Sequence, residues 1–398
     1  MNKWYCRNKK SYEKRQLRNN FFFDNYHSVA LVIGASCQTP GLNFAGCMKD
    51  EVSKKSSRPV AAWLLIGIVM LIIQVLLGGI TRLTGSGLSI TEWKPILGAL
   101  PPMNDQQWND AFDKYKQIAQ YKYLNSSFTL SDFKSIFFWE WVHRLWARLI
   151  GVAFLIPFII FLIQKRFKRE MVKPMIILFL LGGLQGLVGW IMVMSGLNEE
   201  NLYVSHYRLA IHFILALGLI CYTLWFALEL LIPQHEFVTN PFLRKFTLWT
   251  IALLTLQLIY GAFMAGLKAA TYAPNWPDIN GNFLPRGGSP SSGILKLFDN
   301  PIVVHFIHRN LAYLITVLIF IWFVQSKKIS GSLFRKTTWL PLALVVLQLV
   351  LGIFTVINSS DPKALRWLGV THQFIAMCLL LSLVFEFYLL QHKKSMAL

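Results

Sequence analysis

Eight stretches of this chain are apolar for long enough to cross a bilayer core of roughly 30 Å. They lie at about 60–79, 136–163, 174–194, 205–232, 246–267, 301–324, 338–357 and 365–390. In lipid every backbone N–H and C=O must find its partner within the segment, so each run is expected to be an α-helix. The expected fold is an all-α integral membrane protein with eight transmembrane helices. Composition agrees: of 398 residues, 55% are hydrophobic and 15% charged, with mean hydropathy +0.46. Such a chain is not disordered and is a poor fit to an ordinary soluble protein.

The formal net charge is +20. The basic residues, however, fall in short segments between apolar runs: Lys165-Arg166-Phe167-Lys168-Arg169, Lys327-Lys328, Arg335-Lys336 and His392-Lys393-Lys394. The alternate loops are acidic at Asn198-Glu199-Glu200 and nearly neutral at Asn358-Ser359-Ser360-Asp361-Pro362. This is the pattern of cytoplasmic loops rather than of a nucleic-acid surface, so no nucleic acid is expected as partner. The positive-inside rule puts both termini on the cytoplasmic or matrix side. Cys6, Cys37 and Cys47 lie ahead of the first run, and Cys221 and Cys378 lie inside runs. With no Cys-x-x-Cys, a disulfide framework or a thiolate metal site has little support.

Residues 1–59 form a polar, basic extension. It reads either as an organellar presequence, for which Glu13 and Asp24 are unusual, or as a working protein that starts at Met48. The second reading is preferred, with 1–47 outside the working protein. Two segments expected on the outer side are long. Residues 80–135 open with an irregular Gly- and Pro-containing stretch. Trp108, Phe112, Tyr115 and Ala119 then follow a helical stripe, expected to lie on the membrane. Residues 268–300 are rich in Gly, Pro and Asn and read as loop; connections this long are often functional, as lids are.

The odd-numbered runs share Gln-x-x-x-Gly: Gln74 to Gly78, Gln185 to Gly189, Gln257 to Gly261 and Gln348 to Gly352. Each even-numbered run has one histidine about two turns from its outer end: His143, His212, His308 and His372. The alternation divides the membrane part into two four-helix units, 60–232 and 246–390, expected to be pseudo-symmetric bundles about an axis along the membrane normal. The glycines would let neighbouring helices approach and the glutamines bond across them.

A single buried histidine would be read as a hydrogen-bonded packing residue. Four at similar depth, two per unit, suit something more specific. Two imidazoles facing each other across a bundle are the axial ligands a b-type haem requires. Zinc usually takes three or four protein ligands together. Arg144 and Arg309 each follow a histidine and Arg208 is one turn before His212, so all three are candidate partners for haem propionates, or else snorkel to the interface. The units differ at one place. Glu140 and His143 lie three apart with Arg144 next, on one helix face; in the second unit the order is His305, His308, Arg309. Glu140 either pairs with Arg144 or acts beside a haem edge on protons, charge or water. His305 reads as a spare ligand, a supporting residue or a loop contact. His206 reads as interfacial, and His27, His235 and His392 lie outside the helices.

Assembled in this way, the chain resembles the haem A synthase family of integral membrane proteins over about 60–390. The most specific pieces are Gly78-Gly79-Ile80-Thr81-Arg82-Leu83-Thr84-Gly85-Ser86-Gly87-Leu88-Ser89-Ile90-Thr91-Glu92-Trp93-Lys94-Pro95 and Phe138-Trp139-Glu140-Trp141-Val142-His143-Arg144. Tyr207-Arg208-Leu209-Ala210-Ile211-His212, His308-Arg309 and Thr371-His372-Gln373 also fit. Lacking a cysteine pair in the outer loops, the chain is similar to the subclass of Gram-negative bacteria and mitochondria. The resemblance implies oxidation of a ring methyl group of haem O, through an alcohol, to the formyl group of haem A. It implies that His308 and His372 hold a haem b cofactor and that His143 and His212 hold the substrate haem O, with Glu140 acting in the chemistry. It further implies an electron acceptor or donor, supply from a haem O synthase, a surround of membrane lipid, and possible assembly as a homo-oligomer. The expected location is the bacterial cytoplasmic membrane, with the mitochondrial inner membrane as the alternative. A two-haem electron carrier and a transporter are the competing readings.

Overall fold

The computed structural model describes residues 44–93, 97–284 and 293–391. Residues 1–43, with Cys6, His27 and Cys37, lie outside the described residues. So do Lys94-Pro95 at the end of the first motif and the tail from His392. The chain divides into two units, 1–55 and 56–398. In the first, residues 44–55 are helical.

The second unit holds eight helices long and apolar enough to cross a membrane. They are α1 (Arg58–Leu83), α4 (Leu130–Ile163), α5 (Arg169–Met194), α6 (His206–Leu231), α7 (Pro241–Gly266), α8 (Pro301–Ser326), α9 (Trp339–Ile357) and α10 (Pro362–Leu389). Two short helices, α2 (Asp105–Tyr115) and α3 (Ala119–Leu124), lie between α1 and α4. Every expected span is present. No strand occurs among the described residues; one isolated bridge joins Ile279 and Asn282.

Local sequence explains where the helices begin. The helices α7, α8 and α10 each start at Asn-Pro or Asp-Pro. The side chains of Asn240, Asn300 and Asp361 accept early backbone N–H groups, and the proline takes the first helical position, where its missing N–H costs nothing. The helix α4 starts six residues before the apolar run read from 136. Thr129 and Asp132 form a capping box: the Thr129 N–H donates to Asp132 at 2.9 Å and the Asp132 N–H donates to the Thr129 hydroxyl oxygen at 3.3 Å. Hydropathy cannot see an extension built by a cap.

That extension changes the place of the amphipathic stripe. Phe112 and Tyr115 are buried against Leu88, Phe133, Ile136 and Phe137. The Trp108 ring lies edge-on to Phe137, with centroids 5.0 Å apart. The stripe packs on the N-terminal end of α4, because Phe133, Ile136 and Phe137 offer it an apolar protein face. Ala119, read as the end of the stripe, opens α3 instead and is fully buried. Tyr115 donates to Gln120 at 3.0 Å and accepts from Asn125 at 2.7 Å, and burial pushes its phenol up to about 12.

Within the spans, α9 packs closely on α10, α7 on α8, α5 on α6 and α6 on α7. The shared core runs through Leu217, Leu254, Ile315, Val345, Met377 and Leu380. By contrast α4 reaches α1 through long side chains. The Trp63 indole donates to the Ala153 carbonyl at 2.8 Å and the Trp146 indole to the Met70 carbonyl at 2.9 Å. Leu149, Val152, Ile156, Ile159 and Ile163 on α4 are exposed, as side chains that face acyl tails would be.

Candidate functional site: four histidines, each held by a glutamine and a glycine

The repeated Gln-x-x-x-Gly has one physical purpose, and it is the same in all four copies. Both residues serve the histidine of the next span. The Gln74 amide nitrogen lies 3.2 Å from the nearer ring nitrogen of His143, that of Gln185 3.2 Å from His212, that of Gln257 3.4 Å from His308 and that of Gln348 3.1 Å from His372. Gln185 and Gln257 also donate to the backbone carbonyl of the same histidine, at 3.1 and 2.9 Å. One turn along each helix, the glycine leaves room for the ring. A Cβ on Gly78, Gly189, Gly261 or Gly352 would meet the histidine Cε1 at 3.1, 2.7, 3.4 or 3.1 Å. The sequence reading had the glycines letting neighbouring helices approach and the glutamines bonding across them; both occur, and the partner of both is the imidazole. Gly151, Gly182 and Gly183 have nothing within 4 Å of an added Cβ, and Ala210 packs against Tyr260, Phe263 and Val304.

The histidines come together as two pairs. The rings of His308 and His372 have centroids 6.4 Å apart at an interplanar angle of 67°. Two imidazoles sharing one iron, each bonded at about 2 Å, put their centroids roughly 6 Å apart. His143 and His212 are near enough to interact electrostatically. Among the described residues no cluster of three or more metal-binding side chains occurs. A donor set of two opposed imidazoles suits an iron whose remaining ligands come from a macrocycle. The His308–His372 pair therefore fits a haem by its spacing, and His143 with His212 supplies the same donor types.

Beside His143 the polar groups bond to one another and to the chain before α2. Glu140 is 2% exposed. Its Oε2 accepts the Ser89 hydroxyl at 2.7 Å and the Ile90 N–H at 2.8 Å, and its Oε1 accepts from Arg144 at 2.6 Å. Arg144 also donates to the Ile90 carbonyl at 2.8 Å and the Glu92 carbonyl at 3.1 Å. Beside His308 the counterpart is His305, 1% exposed, whose Nε2 lies 3.1 Å from Arg309. Arg309 donates to the carbonyls of Asn275, Pro277 and Asp278 at 2.8–2.9 Å. In both places the arginine after the histidine ties down the segment leading into or out of the span. His305 thus acts on the loop through Arg309. Arg208 donates to the Ile191 carbonyl near the end of α5 at 2.9 Å. A guanidinium carries five donors, so each arginine has donors beyond these bonds.

Sequence reasoning passed over two groups. Ser89 was read only as part of a motif, since nothing local marks a serine as the partner of a residue 51 positions away. His206, read as interfacial, has its Nε2 3.1 Å from Asp299 and its ring tilted at 35° against Tyr207 with centroids 4.1 Å apart. His235 lies outside the spans as expected, in a short turn of helix with its side chain 76% exposed.

Residues 61–384 match the cytochrome oxidase assembly protein family, COX15-CtaA. A protein of Flavobacterium johnsoniae named Heme A synthase is 39% identical over 341 residues, which covers 84% of this chain and 98% of that protein. One of the same name from Parvibaculum lavamentivorans is 42% identical over 319 residues, covering 79% and 90%. Another from Bradyrhizobium diazoefficiens is 40% identical over 343 residues, covering 85% and 93%. With its eight apolar helices and its four histidine cradles lying inside the matched region, the chain belongs to the cytochrome oxidase assembly protein family that includes these haem A synthases.

Proposed function

We propose that the chain is a haem A synthase: an integral membrane oxidoreductase that converts a ring methyl group of haem O, through an alcohol, to the formyl group of haem A, for use in cytochrome oxidase. In this reading residues 60–232 and 246–390 are two pseudo-symmetric bundles, with both termini on the cytoplasmic side of a bacterial inner membrane. His143 and His212 bind the substrate iron. His308 and His372 bind haem b, which when present supplies one-electron chemistry and passes electrons to an acceptor. The glutamine and glycine of each repeat keep the imidazole from turning, which fixes where each macrocycle would sit. Glu140, one turn before His143, stands beside the substrate and takes up a proton as the methyl carbon is oxidised. The observation that carries the proposal is a pair of imidazoles in each half, spaced to suit one iron at His308 and His372, with a buried carboxylate one turn before the histidine in only one half.

A two-haem electron carrier would use the same four histidines and would have no need of Glu140. The deciding experiment is expression of the full chain with haem O supplied, followed by extraction and chromatography of its pigments. The expected result is haem b together with haem O or haem A. Haem b alone would favour the carrier, and colourless protein would overturn both readings.

A further inference from the structure

We propose that Ser89 and Arg144 are positioning residues for Glu140, presenting its carboxylate to the substrate in one fixed orientation. This rests on the reading of Glu140 above. The turn after α1 delivers the serine. Gly85 has φ +69, the left-handed conformation that ends a helix and that glycine adopts without strain. The Ser86 N–H then donates to the Thr81 carbonyl at 2.9 Å and the Ser89 N–H to the Ser86 carbonyl at 3.1 Å, which folds the chain back over α4. The Thr81 hydroxyl reaches the Trp139 carbonyl at 3.2 Å, tying the end of α1 to the turn that holds Glu140. Leu88, 2% exposed, anchors the segment in the apolar cluster under α2.

The outcome is a carboxylate with unequal oxygens. A carboxylate oxygen has two lone pairs. Those of Oε2 are both taken, by Ser89 and Ile90, while Oε1 has one filled by Arg144 and one left over. The remaining lone pair of Oε1 is the one that can take a proton from substrate. Ser89 and Glu140 are each 2% exposed, so water does not compete for these bonds. The second half has no such cradle at the equivalent place. There His305 has its Nε2 on Arg309 and its Nδ1 buried without a partner. The cradle therefore occurs only where the acid does, which is expected of a device that serves the reaction and not of one that merely closes a loop.

The test uses the full chain in membranes with haem O supplied, reading haem A formed, haem bound, and the optical and electron-spin spectra of the bound iron. Ser89→Ala should lower haem A formation by about ten- to a hundredfold, the range for a misplaced catalytic group, with bound haem and its spectra unchanged. Ser89→Thr, which keeps the hydroxyl, should recover most of the rate. On a Glu140→Gln background, Ser89→Ala should cause no further loss, because a residue that acts only through another is not additive with it. Wild-type haem A formation in Ser89→Ala overturns the proposal. So does an additive loss in the double variant, or loss of bound haem that Ser89→Thr fails to correct. Full haem A formation in Glu140→Ala would instead overturn the role of Glu140 on which this proposal stands.

Discussion

His143 and His308 stand at matching places in the first four spans and the second four, and what surrounds them differs in one residue three positions upstream. Each has its glutamine, its glycine and, next in the chain, an arginine that bonds to a segment between spans. Where the first half has Glu140, held by a serine, a backbone N–H and an arginine, the second has His305 against Arg309 alone. The packing differs too. The helices α7 to α10 lie close against one another, whereas α4 meets α1 through tryptophan and glutamine side chains. The comparison teaches that the apparatus holding each histidine is separable from the group one turn before it. Both halves keep the holding apparatus. Only the first, less closely packed half sets an acid one turn before its histidine.

The largest effects should come from removing a ring. His143→Ala should abolish haem O retention while leaving haem b, and His308→Ala should do the reverse. Pyridine haemochrome analysis of the purified variants checks this, and loss of both haems from either variant would break the division into two independent sites. Next is the residue that distinguishes the halves. Glu140→His, which makes the first half resemble the second, should retain haem and form no haem A; formation at the wild-type rate would erase the contrast drawn here. Glu140→Ala should also lower thermal stability, since stranding one partner of a buried ion pair costs about 3–5 kcal/mol and Arg144 is partly exposed, which places the effect at the lower end.

Smaller effects sharpen the comparison between copies of the repeat. A Cβ at position 189 would meet His212 at 2.7 Å, while at position 261 it would meet His308 at 3.4 Å. Gly189→Ala should therefore displace its ring and cost about 1–3 kcal/mol, with a changed haem spectrum. Gly261→Ala should be close to neutral by the same measurements. Equal effects at both would mean that the glycines serve the helix contact and not the ring. The smallest is Trp146→Phe, which removes the indole bond from α4 to α1 and should cost about 1 kcal/mol, read as a shift in melting temperature without change in bound haem.

The amino-acid sequence alone determined the number of spans, their approximate bounds and the alternation of Gln-x-x-x-Gly with histidine. These depend on local hydropathy and spacing, and lipid permits an isolated apolar run almost no structure besides a helix. It also marked Glu140, His143, His212, His308 and His372 as unusual, because ionisable and polar groups inside a span are costly enough to need a reason. Tertiary structure decided the partners. That each glutamine meets an imidazole, that the stripe of Trp108, Phe112 and Tyr115 packs on α4, and that Ser89 closes on Glu140 all depend on contacts between residues far apart in the chain. Such contacts form only when helices are set side by side, and their directional hydrogen bonds and close approaches leave no local pattern in the order of the residues.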